Sequence, residues 1–536
     1  MEGPGVTRWF DRYRAALGHR DLRLLLGGLV ISATGSWAYA VALLAFVFER
    51  THSLGWVGAA GLVRFLPALV LSPYAGVIAE RTERIRLMVG TDLVCTVWQV
   101  GLAIVAATGA PVVLGLLFAG LTASTMTVYL PAVAATIPAV VDEEELVAAN
   151  ALNGTIDNLV IITGPAIGAV LLAVGSPAAA FAVNAASFAL SAVVISRIHA
   201  RSRPVDVTEA GTAGILRQMA VGVRAIAAAK QARTLVAFCA LVSFVYGTDT
   251  VLLIGVSAHR LGTGTEGFGY LLAGLGLGGI LMAAAVDRLA RFARLAPIII
   301  AGVAGYTLPT ALLVVVRSPE LAVALEVVRG GSTLVVDVLA ITSLQRAVAS
   351  DQLARVFSVF FAFVLGAISL GTLITPLIIN AFGLNTGLLV MAFAPFGLGV
   401  AGFPALLAVD RASAGRAAIL APRVAVLERL EMFASASRAA LEQLAAAAVE
   451  VTFEPATAIV EEGAPADALY VLVEGEVAVT ARGEAGGPVH HIRTMPAPAY
   501  FGEIGVLEQI PRTATVTAVG ECRCERIEGA ALLAAL

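Results

Sequence analysis

Two charged residues near the carboxyl end of the sequence are spaced as a binding site for an anion requires. The stretch YFGEIGVLEQIPRTATV, residues 500–516, has Glu503 directly after a glycine and Arg512 nine residues later, beside small and hydroxyl residues. A planar guanidinium can pair with two phosphate oxygens, and a carboxylate can accept hydrogen bonds from sugar hydroxyls. Backbone N–H groups near the glycine can add further donors. The pattern predicts a pocket for a phosphorylated sugar.

Most of the chain is too apolar for a soluble protein. Of its 536 residues, 59% are hydrophobic and only 14% are charged, which exceeds what soluble cores need. Apolar stretches long enough to cross a hydrocarbon layer of roughly 30 Å recur from about residue 22 to about residue 409 and then stop. We therefore expect an all-α polytopic membrane protein with a separate cytosolic domain at its carboxyl end.

The composition disfavours several classes of function. A net charge of −3 leaves no basic face for a nucleic acid. Four scattered cysteines cannot form a disulfide framework, and Cys522 and Cys524 would share one face of a strand, where a core or surface position is favoured over half a metal site. We expect no metal, no resident cofactor and no enzymatic activity. Because the sequence has no G-x-x-x-x-G-K-[ST] segment and Lys230 is its only lysine, ATP-driven pumping is disfavoured.

The hydrophobic runs between turn and charge signals predict about twelve membrane spans. The first twenty residues contain no apolar run and no small-residue cleavage site, so the first span is expected to remain uncleaved. The predicted spans lie near residues 22–48, 56–79, 86–108, 112–140, 148–173, 177–196, 234–258, 266–286, 296–316, 320–344, 356–380 and 384–409.

The distribution of arginines predicts how these spans are oriented. Arginines are concentrated in the connections on one side, whereas the other side has only Arg50, Arg260 and Arg317. Such an excess is typical of cytoplasmic loops, so we expect both termini and the carboxyl-terminal domain on the cytoplasmic side of the plasma membrane.

The longest connection divides the membrane region into two sets of six spans. It is a cytoplasmic loop at residues 197–233. This is a duplicated transporter plan, although an even-spanned receptor would have the same pattern. The predicted domains are a cytosolic segment at 1–20, a first six-helix half at 21–196, a second half at 234–410, a flexible linker at 411–422 and a tail domain at 423–536.

A charged loop follows the second span. Its sequence, GVIAERTERIR, resembles the loop signature of the major facilitator superfamily, G-x-x-x-[DE]-[RK]-x-G-[RK]-x-[RK], with Glu83 in place of the usual second glycine. An acid and arginines at helix ends can form charge-assisted bonds, so the resemblance implies a gating loop. Asp92 is expected to have a helix-terminal or loop-locking role. The alternative is a positive-inside loop with an incidental acid. The residues that match are Gly76, Glu80, Arg81, Arg84 and Arg86.

The fifth span contains a helix-bending motif. Gly164, Pro165 and Gly168, after Ala149-Asn150, resemble the exporter branch of the superfamily that holds drug, siderophore and lysophospholipid transporters. Gly-Pro within a span lets a helix bend and pack closely, so the resemblance implies a hinge between two rocking halves. It also implies a six-plus-six transporter fold and favours export of an amphiphilic or lipid-like solute. The match to the antiporter signature is partial, so a proton and another cation both remain open as the coupling ion.

Ionisable residues within the spans are candidates for the transport path, because a charge in hydrocarbon must face a cavity or a partner. At a rise of 1.5 Å per residue, Asp249 and Glu326 lie at similar depth. The resemblance implies that spans one, four, seven and ten line a central cavity, where Asp249 could meet Glu326 and Arg329. Asp249 is the favoured proton or cation carrier, whereas Glu326 with Arg329 could equally be a neutralising structural pair. The candidates are Arg64, Asp157, Asp249, Glu326 and Arg329, with Asp92 and Asp337 also intramembrane.

Two of these candidates have alternative roles. Arg64 can line a gate or pair with an acid on a neighbouring span. Asp157 lies among Asn150, Asn153 and Asn158, a polar stripe that can serve helix packing alone.

The tail has the pattern of a small α+β domain. Two short helices are predicted in VAVLERLEMFASASRAALEQLAAAAVEV, followed by short β-rich runs that alternate with glycine turns from Thr452 onward, which indicates an antiparallel β-roll. With Gly463, Gly475 and FGEIGVLEQIPRTATV in this order, the domain resembles cyclic nucleotide-binding domains.

That resemblance implies roles for individual residues. Glu503 would accept from the ribose 2′-hydroxyl, Arg512 would pair with the cyclic phosphate, and Thr513 would flank it. The backbone wall would come from Gly502, Ile504 and Gly505. The sequence departs from the pattern at Pro498-Ala499 and at Gly505, and it ends where the family continues into a helix that caps the base, so cyclic AMP and cyclic GMP both remain open as ligands.

The sequence therefore favours a secondary transporter in the lipid bilayer, regulated by a cyclic nucleotide that binds its cytosolic tail. Its expected partners are the membrane, a small-molecule or lipid-like solute and the nucleotide, with no nucleic acid. The rival hypotheses are a receptor or scaffold that has a transporter fold, and a constitutive transporter with a vestigial tail.

Overall fold

The chain forms two compact units, Met1–Asp410 and Arg411–Leu536. The computed structural model describes residues 13–142, 145–200, 220, 223–224, 226–289, 292, 294–347, 350–433, 436, 438–482 and 489–535. Much of the predicted loop at 197–233 lies outside the described residues.

The first unit is built from helices. They are α1 (Arg20–Thr51), α2 (Leu54–Arg81), α3 (Arg84–Thr108), α4 (Val112–Met126), α5 (Tyr129–Val140), α6 (Leu146–Val174), α7 (Pro177–Ile195), α8 (Lys230–Val256), α9 (Glu266–Leu289), α10 (Ala296–Thr307), α11 (Pro309–Leu312), α12 (Pro319–Ala347) and α13 (Ser350–Leu427), with a π-helix at Ser257–Leu261 after α8. Helix α13 is interrupted at Gly383, whose φ of 83° is not helical. The predicted spans 356–380 and 384–409 lie on either side of that break.

In the described part of the chain, nine helices are long and apolar enough to cross a membrane. Two shorter apolar helices, Thr163–Val174 and Ala296–Leu312, accompany them. The predicted span 112–140 is divided into α4 and α5. The architecture is that of a multi-pass helical membrane protein, and the number of twelve spans stays a prediction.

The two helical halves share one hydrophobic core at one end of the unit, which we call the closed end. Its buried residues come from both halves, including Phe46 and Leu102 from the first and Leu252 and Leu388 from the second. At the opposite end, called the open end, the described residues form two separate cores, one confined to residues 16–198 and one to residues 226–409. The halves therefore join at one end and part toward the other.

Glycines allow this joint to be tight. A Cβ added to Gly58 of α2 would lie 2.6 Å from Cγ of Pro376 and 2.9 Å from the carbonyl oxygen of Thr372, both on α13. A Cβ on Gly61 would overlap the side chain of Thr372. Any larger residue at these positions must push the halves apart.

The second unit begins with the end of α13, which includes the predicted linker. The prediction of a flexible connection at 411–422 is wrong, because α13 remains helical to Leu427. Alanine is the strongest helix former, and it dominates this segment. The two predicted tail helices also differ: a 3₁₀ turn (Glu431–Phe433) precedes α14 (Arg438–Ala447).

In the described part of the tail, eight strands form two four-stranded antiparallel sheets, ordered β1-β8-β3-β6 and β2-β7-β4-β5. They are β1 (Val449–Phe453), β2 (Ala458–Val460), β3 (Ala468–Glu474), β4 (Glu476–Arg482), β5 (Val489–Pro496), β6 (Ala499–Phe501), β7 (Thr515–Ala518) and β8 (Cys522–Glu528), with helices α15 (Glu503–Leu507) and α16 (Gly529–Ala535). Cys522 and Cys524 are both buried in the core of this roll.

A partly buried ion pair joins the end of α13 to the roll. Nε of Arg423 lies 3.0 Å from Oε1 of Glu525 on β8. Glu525 is 8% exposed, and its Oε2 has no hydrogen-bond partner in the described part of the chain. Burial raises the pKa of Glu525, although Arg423 acts in the opposite direction.

Replacing Gly58 with leucine should separate the halves at the closed end. The new side chain would collide with the backbone of Thr372. We expect a longer distance between spin labels on the exposed residues His52 and Ala381, measured by electron paramagnetic resonance, because the four native cysteines are buried and should not react. Gly90→Leu is the control, since nothing lies within 4 Å of its added Cβ. An unchanged distance in Gly58→Leu would contradict the tight joint.

The stability of the tail should fall as the pH rises, because of Glu525. An acid whose folded-state pKa is raised binds more protons when folded, so its contribution to stability declines above the unfolded value of about 4.3. Hydrogen exchange of β1 and β8 in the full-length protein, corrected for intrinsic rates, should give a smaller opening free energy at pH 8 than at pH 5. Glu525→Gln should remove part of that decline, and the exposed Glu476→Gln should not. Equal pH slopes in all three proteins would refute this origin.

Candidate functional site

Arg512 is held in a fixed orientation within the roll. Its Nη1 donates to the carbonyl oxygen of Gly502 at 2.8 Å, and its Nη2 donates to the carbonyl oxygen of Ala468 at 2.7 Å and to Oδ1 of Asp467 at 2.9 Å. The residue is 5% exposed. Its Nε makes no hydrogen bond to the described residues. The guanidinium is thus positioned before any ligand arrives, with donor capacity left for an anion.

Asp467 connects Arg512 to a second arginine. Its Oδ2 accepts from Nη2 of Arg526 on β8 at 2.8 Å. Hydrogen bonds from Arg526, and from Arg512, hold the pKa of Asp467 below its usual range. Sequence reasoning missed this residue, because an acid just before a strand has no spacing that marks a partner 45 positions away.

The turn between β6 and β7 has the backbone that the predicted cradle needs. Gly502 precedes α15 with φ of 87°, a conformation that favours glycine. A Cβ on Gly505 would lie 2.7 Å from Cβ of Ala466 and 3.0 Å from the carbonyl oxygen of Ile510. This crowding explains why a glycine occupies the position where the resemblance implies alanine.

The other predicted pocket residues lie on the same turn. Glu503 is half-buried in the first turn of α15 and makes no hydrogen bond in the described part of the chain, so its carboxylate can still accept from a hydroxyl. Ile504 is 44% exposed, and Thr513 is also exposed. The structure therefore brings Gly502, Glu503, Gly505 and Arg512 to one turn. Their role in binding a nucleotide is taken up below.

Three ionisable side chains meet inside the first unit. Arg329 on α12 donates from Nη2 to Oδ1 of Asp249 at 2.6 Å and from Nη1 to both carboxylate oxygens of Glu326 at 2.8 Å. All three residues are buried, at 0%, 2% and 0% exposure for Arg329, Asp249 and Glu326. Glu326 and Arg329 form a pair on one helix, and Asp249 reaches the same guanidinium from α8. We call these residues the intramembrane triad.

Tyr306 of α10 completes the triad's hydrogen bonds. Its hydroxyl donates to Oδ2 of Asp249 at 2.9 Å, and its carbonyl oxygen accepts from Nε of Arg329 at 2.9 Å. Tyr306 could not be identified from the sequence, since one of its two hydrogen bonds to the triad is made by its backbone carbonyl.

Arg64 and Asp157 are not part of this group. Arg64 is half-buried on α2, and its guanidinium carbon lies 5.4 Å from the ring centre of Trp37 and 5.2 Å from that of Phe65. Asp157 on α6 is exposed and accepts from Nδ2 of Asn153 at 3.4 Å.

The predicted hinge residues lie where α6 meets α1. A Cβ on Gly168 would be 2.7 Å from the carbonyl oxygen of Ala38, and one on Gly164 would overlap Trp37. Pro165 lies between them, inside α6. Their placement serves close helix packing, and a hinge motion stays a prediction.

The charged loop after α2 has one clear structural role. Glu83 caps α3, accepting from the backbone N–H groups of Ile85 and Arg86 at 3.3 and 3.0 Å. This explains an acid where the resembled signature has glycine. Arg84 donates to the carbonyl oxygen of Ala135 at 2.7 Å. Arg81 and Arg86 are exposed, Gly76 and Glu80 lie in α2, and the side chain of Glu80 is outside the described part of the structure.

Asp92 is not at a helix end. It is fully buried on α3, and its Oδ2 accepts from the hydroxyl of Ser191 at 2.7 Å. The expected helix-terminal role is therefore wrong, because Asp92 lies two turns inside α3 and packs against α5 and α7. Its action as a loop lock stays a prediction.

One group at the open end has the residue types of a metal site. Nε2 of His19 lies 3.9 Å from carboxylate oxygens of both Asp142 and Glu145. Such distances suit an ion pair of a protonated histidine as well as they suit ligation, and acidic groups at surfaces are common without an ion. We assign this group no metal.

Comparison with known proteins agrees with both units. The family model of the transmembrane secretion effectors matches residues 14–426, and that of the cyclic nucleotide-binding domain matches residues 450–536. The macrolide efflux protein A of Streptococcus pyogenes is 26% identical over 170 residues, which is 32% of this chain and 42% of that protein.

The tail has relatives of its own. The regulatory subunit of the cAMP-dependent protein kinase of Dictyostelium discoideum is 33% identical over 108 residues, covering 20% of this chain and 31% of that protein. The corresponding subunit of Yarrowia lipolytica is 42% identical over 76 residues, covering 14% of this chain and 19% of that protein. The chain thus spans less than half the length of each of these relatives. It belongs to the transmembrane secretion effector family of the major facilitator superfamily and carries a cyclic nucleotide-binding domain at its carboxyl end.

Proposed function

We propose that the protein is a proton-coupled exporter of an amphiphilic or lipid-like solute, and that cyclic AMP or cyclic GMP bound to its tail regulates transport. The observation that carries the proposal is the presence of two charged sites in one chain, a buried triad in the membrane unit and an anion-ready arginine in the tail. The efflux function of the Streptococcus relative supports the direction of transport. The plasma membrane, with the tail in the cytoplasm, is the proposed location.

The triad has the charge balance that a proton carrier needs. Asp249 and Glu326 share the single positive charge of Arg329, so the group has a net charge of −1 when both acids are ionised. An uncompensated charge is costly in a dry interior, and one proton would neutralise the group. Proton uptake would also break one of the ion pairs and alter the contact between α8 and α12.

The shape of the membrane unit supports alternating access. Two halves whose described residues share a core only at the closed end can rock about that end, so that a central path opens to each side in turn. With the predicted orientation, the open end faces the cytoplasm, from which an exporter takes its solute.

The tail offers a route by which nucleotide binding could reach the membrane unit. A phosphate on Arg512 would compete with Asp467, whose side chain is 59% exposed. Asp467 also binds Arg526 on β8, and the adjacent Glu525 binds Arg423 in the helical segment that follows the membrane half in sequence. These contacts form a continuous series from Arg512 to Arg423. Regulation further requires that the nucleotide bind one transport conformation better than another.

Replacing Arg512 should abolish nucleotide binding. In a calorimetric titration of the full-length protein with cyclic AMP and cyclic GMP, we expect micromolar binding of at least one nucleotide and none in Arg512→Glu. Removing the guanidinium alone should cost about 1.5–3 kcal/mol, which is about ten- to a hundredfold in affinity. Arg493→Glu, an exposed charge reversal on β5, is the control. Absence of heat with either nucleotide, in folded protein, would refute the sensor.

Regulation is tested by measuring the distance between spin labels at His52 and Ala381 with and without the nucleotide. We expect added nucleotide to change this distance. If the nucleotide binds but leaves the distance unchanged at every pH and solute concentration tested, the tail does not regulate the transporter.

Neutralising the triad should remove a pH-dependent conformational change. We expect the label distance to change with pH in the wild type as the triad loses its proton. Glu326→Gln should behave at every pH like the wild type at low pH, because a glutamine mimics the protonated acid. Asp249→Asn should respond in the same way. Glu320→Gln, an exposed change on the same helix, is the control. A Glu326→Gln protein with the wild-type pH response would exclude this triad as the proton site.

A further inference from the structure

Arg64 is an intramembrane cation without a matching carboxylate. No ion pair or hydrogen bond joins it to any described residue, and its guanidinium lies over the faces of Trp37 and Phe65. Contacts with aromatic faces stabilise a cation, but they do not neutralise its charge. Arg329 in the same unit has two carboxylates within 2.8 Å. Arg64 therefore differs from Arg329, whose charge is compensated by carboxylates of the protein itself.

The position of Arg64 coincides with the level at which the two halves separate. In α1, the residues from Ala38 to Phe48 are buried on every side, whereas Trp37 is half-buried. In α8, the residues from Gly247 to Val256 are buried on every side, whereas Tyr246 is half-buried.

The burial of helix α2 changes at the same level. Gly61 is buried against Thr250 and Thr372 of the second half, and Arg64 follows one turn later with its side chain half-buried. Arg64 also lies close enough to Tyr246 of the second half to act on it electrostatically. Three helices thus place Trp37, Arg64 and Tyr246 where the shared core ends and the path toward the open end begins.

This arrangement has the chemistry of a site for an amphiphilic anion. A guanidinium stacked on aromatic rings keeps its edge free, and that edge carries the N–H donors that match a carboxylate or phosphate. The rings around it present apolar area to the body of the same molecule. A ligand anion would also supply the counter-charge that the described part of the protein does not.

We propose that Arg64 binds the anionic group of the transported solute, a carboxylate or a phosphate, while Trp37, Phe65 and Tyr246 contact its apolar part. This proposal rests on the proposed transport function and narrows its substrates to acidic amphiphiles. The head group of an acidic lipid has the same chemistry as a soluble acid, so the experiment must separate these two sources.

The test compares two probes that share an aromatic body and differ in charge, 2-naphthoate and 2-naphthylmethylammonium. Equilibrium dialysis with the full-length protein in phospholipid-free neutral detergent should give at least tenfold tighter binding of the naphthoate. Arg64→Gln should abolish this preference, and Arg64→Lys should retain a smaller one, because lysine has the charge without the planar fork. Arg50→Gln removes an exposed arginine that donates to the carbonyl oxygen of Ala110, and it should keep the wild-type preference.

A further variant keeps the proposal testable if Arg64→Gln fails to fold. Trp37→Leu keeps the charge and removes one aromatic face, so it should weaken both probes by a similar factor and leave the preference intact. Equal binding of the two probes by the wild type, or an unchanged preference in folded Arg64→Gln, would overturn the proposal. Displacement of naphthoate by added phosphatidylglycerol would identify a lipid as the source of the anion, and no displacement would identify a soluble acid.

Failure of this proposal can be told apart from failure of the transport proposal. Probe binding is measured without any transport or pH change. A charge preference without a conformational response would keep the anion site and reject the carrier, whereas a pH response without the preference would do the reverse.

Discussion

The membrane unit depends on how charge is compensated where water is absent. Arg329 is fully buried, and its hydrogen bonds to the described residues are made to Asp249, Glu326 and the backbone of Tyr306. Removing Arg329 would leave Asp249 and Glu326 in the interior without a counter-charge, and breaking a buried ion pair in this way typically costs about 3–5 kcal/mol. The same guanidinium thereby connects α8, α10 and α12. The packing of the second half is thus tied to the protonation state of two carboxylates.

Much of this site could be predicted because charge within hydrocarbon is rare and helix geometry is regular. Helix geometry places Asp249 and Glu326 at equal depth, the family resemblance implies a central cavity where Asp249 meets Glu326 and Arg329, and the structure places all three together. Tyr306 could not be predicted, because a backbone carbonyl carries no residue-specific signal. Likewise Glu503 and Arg512 have a recognisable spacing, whereas Asp467 meets Arg512 only because β3 and the β6–β7 turn are neighbours in the roll.

The segment that joins the two units shows where sequence reasoning fails in a different way. Small residues and one glycine, Gly415, in DRASAGRAAILAP predict flexibility, yet α13 is helical throughout this segment. A single glycine weakens a helix by only about 1 kcal/mol relative to alanine, and the alanines around it offset that loss. Composition alone cannot separate a flexible linker from an alanine-rich helix, because both avoid large side chains.

The two arginine sites differ in what can exchange at them, and this difference follows from exposure. Around Arg329 both acids are sealed from water, so only a proton can alter the balance of charge without dismantling the packing. Around Arg512 the acid is Asp467, with a side chain that is 59% exposed, and water can solvate it if the guanidinium turns to another anion. A phosphate can therefore replace this carboxylate at little cost, because Asp467 keeps its bond to Arg526. In the proposed function, one chemical group placed at two depths would serve proton exchange in the membrane and ligand exchange in the tail.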